Sequence, residues 1–338
     1  MRSRIPVLLA AALLLALSIP VVAVARSAAS SAQAEHARIV AYWTPARIAS
    51  AVPRDYVRDS SGELVPNKRP PGGGGGGGGA VTGASWTWDG AIELRSGRIL
   101  FTMGGSNWIC SGSVITDDAT NNGFSTVLTA GHCVYDGADG WATNWMFIPD
   151  FDDGPSYTCA NTALGCWTAT RLAAHAAFVD GGGFGNNTVH VDYAFARVGL
   201  GGKGDVGTLE LDTLTGSYAL KTDTTSLSDT QWAFGYPAAG KYKGNDLVYC
   251  KGSLIADPYG SDTWGMGCKM TGGSSGGPWL HGTTDPANGS GVVSSVNSYG
   301  YSGLAYMFGP KFTGATSTVL GDVIDGSATP SVSAVNLP

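Results

Sequence analysis

Eight consecutive glycines, residues 72–79, follow Pro70 and Pro71. No helix or strand can use such a run, because glycine loses the most backbone entropy on ordering and has no side chain to pack. The run is an exposed linker. It divides the 338-residue chain into a short front part and a body that begins near Ala80. The apolar residues of the front part (Tyr42, Trp43, Ile48, Val52) are too few for an independent core.

The start of the chain bears on the compartment. Arg2 and Arg4 precede a nearly continuous apolar stretch, residues 5–25, which ends in Ala23-Val24-Ala25. A basic start, an apolar middle and a small-x-small ending describe a secretory signal peptide. A membrane anchor is the alternative, since the stretch is long enough to span if tilted; Pro6, Pro20 and the Ala-x-Ala ending favour cleavage. The expected product is secreted and extracellular, without a membrane segment once the signal is removed. Six cysteines suit that oxidising compartment.

Charge is uneven. Residues 26–79 carry seven basic and four acidic side chains, a balance of +3, whereas residues 80–338 carry 11 and 22, a balance of −11. An acidic body argues against a nucleic-acid partner. A basic front segment is attracted to such a body, as an intramolecular inhibitor would be; a solvated tail accounts for the charge equally well.

Beyond the linker, short apolar runs alternate with Gly, Asn, Asp and Ser clusters. Strands are expected at 98–102, 108–115, 126–129, 145–148, 189–198, 232–236, 247–254, 292–297 and 304–308, with a short helix at 316–324. This is an all-β pattern without an internal repeat, and periodicity does not decide between sandwich and barrel.

Three segments carry chemistry: Thr129-Ala130-Gly131-His132-Cys133, Val191-Asp192-Tyr193-Ala194-Phe195 and Thr271-Gly272-Gly273-Ser274-Ser275-Gly276-Gly277-Pro278. Together with the run from Cys110 to Ile115 they resemble the chymotrypsin superfamily of serine proteases, over roughly residues 98–308. The resemblance implies two antiparallel six-stranded β-barrels with the active site between them. It implies a serine endopeptidase acting on polypeptides through an acyl-enzyme, a monomer with no cofactor and no metal. Residues 1–25 are then the signal peptide, 26–79 a pro-segment ending in the glycine linker, and 80–338 the protease domain.

The chemical logic is that of the serine-protease triad, which serves here as a known template. A serine hydroxyl needs a base to take its proton, histidine has a suitable pKa, and a buried carboxylate fixes the histidine tautomer. The resemblance assigns Ser275 as nucleophile, His132 as general base and then acid, and Asp192 as its orienting carboxylate. The N–H groups of Gly273 and Ser275 form the oxyanion hole. Singly, each residue reads as a core histidine, a cap or a glycine-rich loop; the order His, Asp, Ser with gaps of 60 and 83 residues sets those readings aside. His190 lies two residues from Asp192 and would share its face in a strand.

Other readings are weaker. Gly273-Ser274-Ser275-Gly276-Gly277 also fits the nucleophile elbow of esterases and lipases, but that fold needs an acid and then a histidine after the serine, and only His281 follows. A catalytically inactive, protease-like binding module would be marked by a lost triad member.

Six cysteines alone leave their pairing open; the resemblance selects Cys110 with Cys133, Cys159 with Cys166, and Cys250 with Cys268. Ser274 stands where the animal digestive enzymes carry Asp, and the preceding Thr271-Gly272-Gly273 looks closer to the glutamyl-endopeptidase branch. That branch implies cleavage after acidic residues, although the segment 294–299 lacks the histidine such enzymes use. Lys269 occupies the pocket-base position, where it would repel Lys and Arg and attract Glu or Asp. Thr271, Asn297 and Ser298 complete the expected substrate-binding residues. Asp150, Asp152, Asp153 and Gly154 form an acidic loop that would suit calcium, a plain solvated turn being the simpler reading. Asn186-Asn187-Thr188 and Asn288-Gly289-Ser290 are glycosylation sequons.

Overall fold

The computed structural model describes residues 20–66, 80–117, 121–152, 159–203, 207–223, 225–327 and 329–338. The glycine run and most of the expected signal peptide lie outside the described residues, as do Asp153 and Gly154.

Six antiparallel strands close into a first barrel. Ser96–Met103 pairs on one side with Ser106–Ile115 and on the other with Thr143–Pro149. Thr143–Pro149 continues to Trp167–His175, then Ala194–Val198, then Ser125–Thr129, which returns to Ser106–Ile115. Closure leaves no free edge among these strands. Phe101, Val114, Leu128, Phe147, Trp167, Leu172 and Phe195 fill the first half of the molecule and are fully buried. Each such side chain contributes roughly 2 kcal/mol by removal from water.

The second set of six, Thr230–Gly235, Val248–Ser253, Thr263–Gly267, Pro278–His281, Val292–Val296 and Tyr306–Pro310, divides between two sheets. Val292–Val296, Pro278–His281, Thr230–Gly235 and Val248–Ser253 run side by side in one sheet, and Thr263–Gly267 pairs with Tyr306–Pro310 in the other. The sheets are tied by the Cys250–Cys268 disulfide and by Ser295 Oγ, which donates to Pro310 O at 2.7 Å. The helix Gly314–Asp325, capped by Thr313, closes the C-terminal part. Arg197 satisfies the last carbonyls of that helix, those of Val323 and Ile324.

The front part packs on the first barrel. Its helix Pro20–Tyr42 leads into Trp43, whose indole donates to Asn144 O at 2.7 Å, and His36 Nδ1 meets Thr168 Oγ1 at 3.1 Å. Ile39, Trp43 and Ile48 are buried in the core they share with the first barrel. Of the apolar residues too few for a core of their own, Trp43 and Ile48 are buried in that of the body and Tyr42 packs against it, whereas Val52 is exposed.

Two strand expectations need correction, and five of the longer strands were not expected. Residues 189–198 are not one strand: Val189–Val191 is a 3-10 turn and the strand is Ala194–Val198. Thr188 Oγ1 donates to Gly183 O at 2.7 Å, which holds the chain in a turn just before Asp192. His190 is therefore exposed and does not share a strand face with Asp192. The last barrel strand is Tyr306–Pro310, because Gly303, at φ +80°, turns the chain where a strand was expected to begin. Strands at Val81–Ser85, Trp167–His175, Thr263–Gly267, Pro278–His281 and Val332–Asn336 gave no apolar run in the sequence. Apart from Pro278–His281, they are rich in Ala, Gly, Ser and Thr, and they take their strand form from their neighbours.

Candidate active site

The chain turns sharply at the end of Ser125–Thr129, and the 3-10 turn Gly131–Cys133 projects His132 into the space between the two halves. Cys133 is bonded to Cys110 of the neighbouring strand, and Cys159 to Cys166. Cys110, Cys133 and His132 lie close enough to share an ion, but both sulfurs are consumed by the disulfide.

Asp192 arrives from the turn Val189–Val191. Its Oδ2 accepts from His132 Nδ1 at 2.8 Å and from Ser298 Oγ at 2.5 Å, and its Oδ1 accepts from the His132 N–H at 2.8 Å. Both side chains are fully buried. An Nδ1–H given to Asp192 leaves Nε2 as the basic nitrogen. That atom is buried and has no hydrogen-bond partner among the described residues. Tyr56 and Phe184 pack edge-on to the imidazole, at 5.4 and 5.2 Å between ring centres.

Ser275 sits on the loop ahead of the Pro278–His281 strand. Gly276, at φ +83°, has to be glycine: a Cβ there would lie 2.1 Å from Thr129 Oγ1 and 2.4 Å from Ser111 O. The carbonyls of this loop are pinned. Gly272 O accepts from the Ala238 N–H at 2.7 Å. Ser274 O accepts from the Gly277 N–H and from Asn297 Nδ2, each at 3.0 Å. In a planar trans peptide the N–H points opposite the carbonyl, so the Gly273 and Ser275 N–H groups are turned the other way. Neither has an acceptor among the described residues. Ser111 adds a brace, its Oγ donating to Gly273 O at 2.8 Å. Ser274 is buried and its hydroxyl donates to Thr271 O at 2.9 Å.

The expected substrate-binding residues have different surroundings. Asn297 is fully buried behind the serine loop, accepting from the Trp279 indole at 2.8 Å. Ser298 donates to Asp192. The Thr271 hydroxyl exchanges hydrogen bonds with the backbone of Ala239. Lys269 is half-buried beside Gly83, its N–H on Thr82 O at 3.2 Å, and no carboxylate among the described residues pairs with its ammonium.

Residues 52–58 of the front part cross this site, which the sequence did not reveal. Val52 and Pro53 pair in parallel with Trp108 and Ile109; Tyr56, Val57 and Arg58 pair in parallel with Tyr299, Gly300 and Tyr301. Between the two ladders, Arg54 O accepts the Ser275 hydroxyl at 3.3 Å. The Arg54 side chain, buried, donates through Nε to His132 O at 2.8 Å and forms an ion pair with Asp136. Arg58 donates to Asn186 Oδ1 and Ser261 Oγ, each at 2.9 Å. The only sequence signal for this strap was the basic character of the front segment.

Asp150 and Asp152 lie with Asp89, Glu93 and Asp246 around a separate cavity. Burial, and then the neighbouring carboxylates, push the Glu93 carboxyl up to about 7.

No protein-family model and no curated protein matches the chain. Solved structures do. The protease Anisep from Arthrobacter nicotinovorans is 34% identical with a TM-score of 0.59, covering 73% of this chain and 100% of Anisep. The thermostable serine protease AL20 from an extremophilic microorganism is 30% identical with a TM-score of 0.58, over 70% of this chain and 100% of AL20. A Glu endopeptidase, 18% identical with a TM-score of 0.51, covers 71% of this chain and 95% of its own, a likeness of fold. With identity of this order along the whole of two proteases, and the barrel architecture they share, the chain belongs to the serine proteases of the chymotrypsin type.

Proposed function

We propose that the protein is a secreted serine endopeptidase with His132, Asp192 and Ser275 as its triad. The observation that carries this reading is the buried His132–Asp192 pair at 2.8 Å, which leaves Nε2 without a partner among the described residues. Nε2 takes the Ser275 proton as the hydroxyl attacks the scissile carbonyl, then returns it to the leaving amine. Asp192, held by Ser298, keeps the imidazole oriented. The oxyanion formed in the tetrahedral intermediate is received by the Gly273 and Ser275 N–H groups. The pinned carbonyls of Gly272 and Ser274 support that assignment.

Residues 1–25 act as signal peptide, 26–79 as pro-segment and 80–338 as the protease. The pro-segment is an intramolecular inhibitor, a reading supported by residues 52–58 in the cleft and by the Arg54–Asp136 pair between a basic segment and an acidic body. Lys269, without a carboxylate partner, favours acidic side chains before the scissile bond over Lys or Arg.

Three measurements test the reading. Ser275→Ala should lower kcat by a factor on the order of 10⁶, and a serine-phosphonylating reagent should label Ser275 alone. Retention of more than about a tenth of the activity would overturn it. Cleavage-site profiling on a peptide mixture should find acidic residues before the cut; efficient cleavage after Arg would overturn the role given to Lys269.

A further inference from the structure

We infer that Asp136, the His132 carbonyl and Trp108 form a subsite for an arginine side chain on the leaving-group side of the scissile bond. The inference rests on the protease reading above and names a substrate class for it.

The seat is seen through Arg54, which occupies it. The guanidinium uses two edges at once, Nε on His132 O and Nη2 on Asp136 Oδ2. Its carbon lies 5.2 Å from the centre of the Trp108 ring. A planar fork between two acceptors, over an aromatic face, fits guanidinium; a lysine ammonium is a point charge and cannot span both acceptors in the same way.

The seat is held by the body and not by its occupant. Asp136 Oδ1 accepts from the N–H groups of Ala138 and Asp139, at 2.9 and 3.4 Å, which fixes the carboxylate with Oδ2 outward. Trp108 is fixed by its indole donating to Met103 O at 2.9 Å. The peptide carrying His132 O is anchored by the Cys110–Cys133 disulfide one residue on. When the strap departs, the acceptors remain in place and need a new donor or water.

Its position follows from the reaction. His132 gives its proton to the departing amine, so the residues after the scissile bond leave on the His132 side of Ser275. The seat lies on that side, at the His132 carbonyl itself. Arg54 reaches it from a backbone whose carbonyl touches Ser275 Oγ. A substrate side chain would reach it from the first or second residue after the cut.

The test uses the processed enzyme as it is secreted, with peptides identical except for Arg, Lys, Ala or Glu at those two positions. At one of them kcat/KM should be about ten-fold higher for Arg than for Ala, with Lys between. Asp136→Asn keeps the Oδ1 acceptor of the turn, and should bring the Arg and Ala peptides within about two-fold of each other. Asp136→Lys should turn the preference to Glu. Equal turnover of Arg and Ala peptides by the wild type, or a preference that survives Asp136→Asn, overturns the inference while leaving the protease reading intact. If no peptide is hydrolysed, that reading fails instead. The seat is then read by calorimetry on the full-length Arg54→Ala, Ser275→Ala chain, in which the Arg peptide should bind about ten-fold tighter than its Ala counterpart; equal binding overturns it.

Discussion

The Ser275 hydroxyl donates to the carbonyl oxygen of Arg54, 3.3 Å away, while the basic nitrogen of His132 has no partner among the described residues. The proposed nucleophile is thus engaged by the front segment and not by its base. The two parallel ladders on either side set the direction of the strap. Its N-terminal half lies along Trp108 and Ile109, on the strand disulfide-linked to the residue after His132; its C-terminal half lies along Tyr299–Tyr301. A substrate places its C-terminal, leaving half on the His132 side, so the strap runs backward through the cleft.

Release of the strap should depend on Arg54. Arg54→Ala removes two hydrogen bonds from a cation to the body, each contributing roughly 1.5–3 kcal/mol when well shielded and less where Asp136 meets solvent. The unprocessed variant should hydrolyse a small ester at least about ten-fold faster than the unprocessed wild type. Sequencing of the processed N-terminus should place the activating cut outside residues 52–58, as a reversed segment predicts. Equal latency of the two chains, or a cut beside Arg54, would contradict this.

The oxyanion hole should not need a newly freed amino group. Ser274 is neutral and already bonded to Thr271 O, and an ammonium buried against it would be poorly paired. Chains beginning at Ala80, with or without a few added residues, should have activities within a few-fold. Asn297→Ala, in contrast, removes one of the two donors that hold the Ser274 carbonyl and should reduce kcat by about 10²-fold with KM little changed. Strict dependence on one N-terminus, or normal kcat in Asn297→Ala, would show that the loop is organised differently.

Loss of the Cys110–Cys133 link should weaken the first barrel. The bond closes a loop with a sequence separation of 23 residues, for which chain entropy predicts about 3 kcal/mol. Denaturant unfolding of the Cys110→Ala, Cys133→Ala chain measures it, and the same variant should lose activity faster than it loses structure, because Cys133 adjoins His132.

Glu93 gives a pH signature. Its carboxyl is raised from 4.5 to about 7 in the folded protein. A raised carboxyl stabilises the fold in its protonated form; that contribution is complete below the ordinary value and is lost as pH rises through about 7. Glu93→Gln should therefore flatten the fall in Tm across this window, relative to the wild type. An identical slope in both chains would show that Glu93 titrates as an exposed group.

The residues of the proposed triad could be singled out because each sits in a local motif, and chain order constrains the set: His132, Asp192 and Ser275 stand far apart in sequence, but each motif is itself a few contiguous residues. The 3-10 turn ahead of Asp192 was not legible, since Val189-His190-Val191 has the composition of a strand and only the Thr188 hydroxyl turns it. Nor was the placement of Asn297 behind the serine loop, or of Ser298 on Asp192, because both depend on which loops the second set of strands brings together. The strap was the least visible. Its two ladders are two and three residues long and parallel, joined to strands more than 50 and 240 positions away, and so short a segment has no periodicity to read. By itself the sequence determined the protease class, and it supplied the residues proposed for the reaction. The tertiary structure alone decided that residues 52–58 lie across Ser275 and that Asp136 receives Arg54, because those contacts arise from long-range packing that no local pattern encodes.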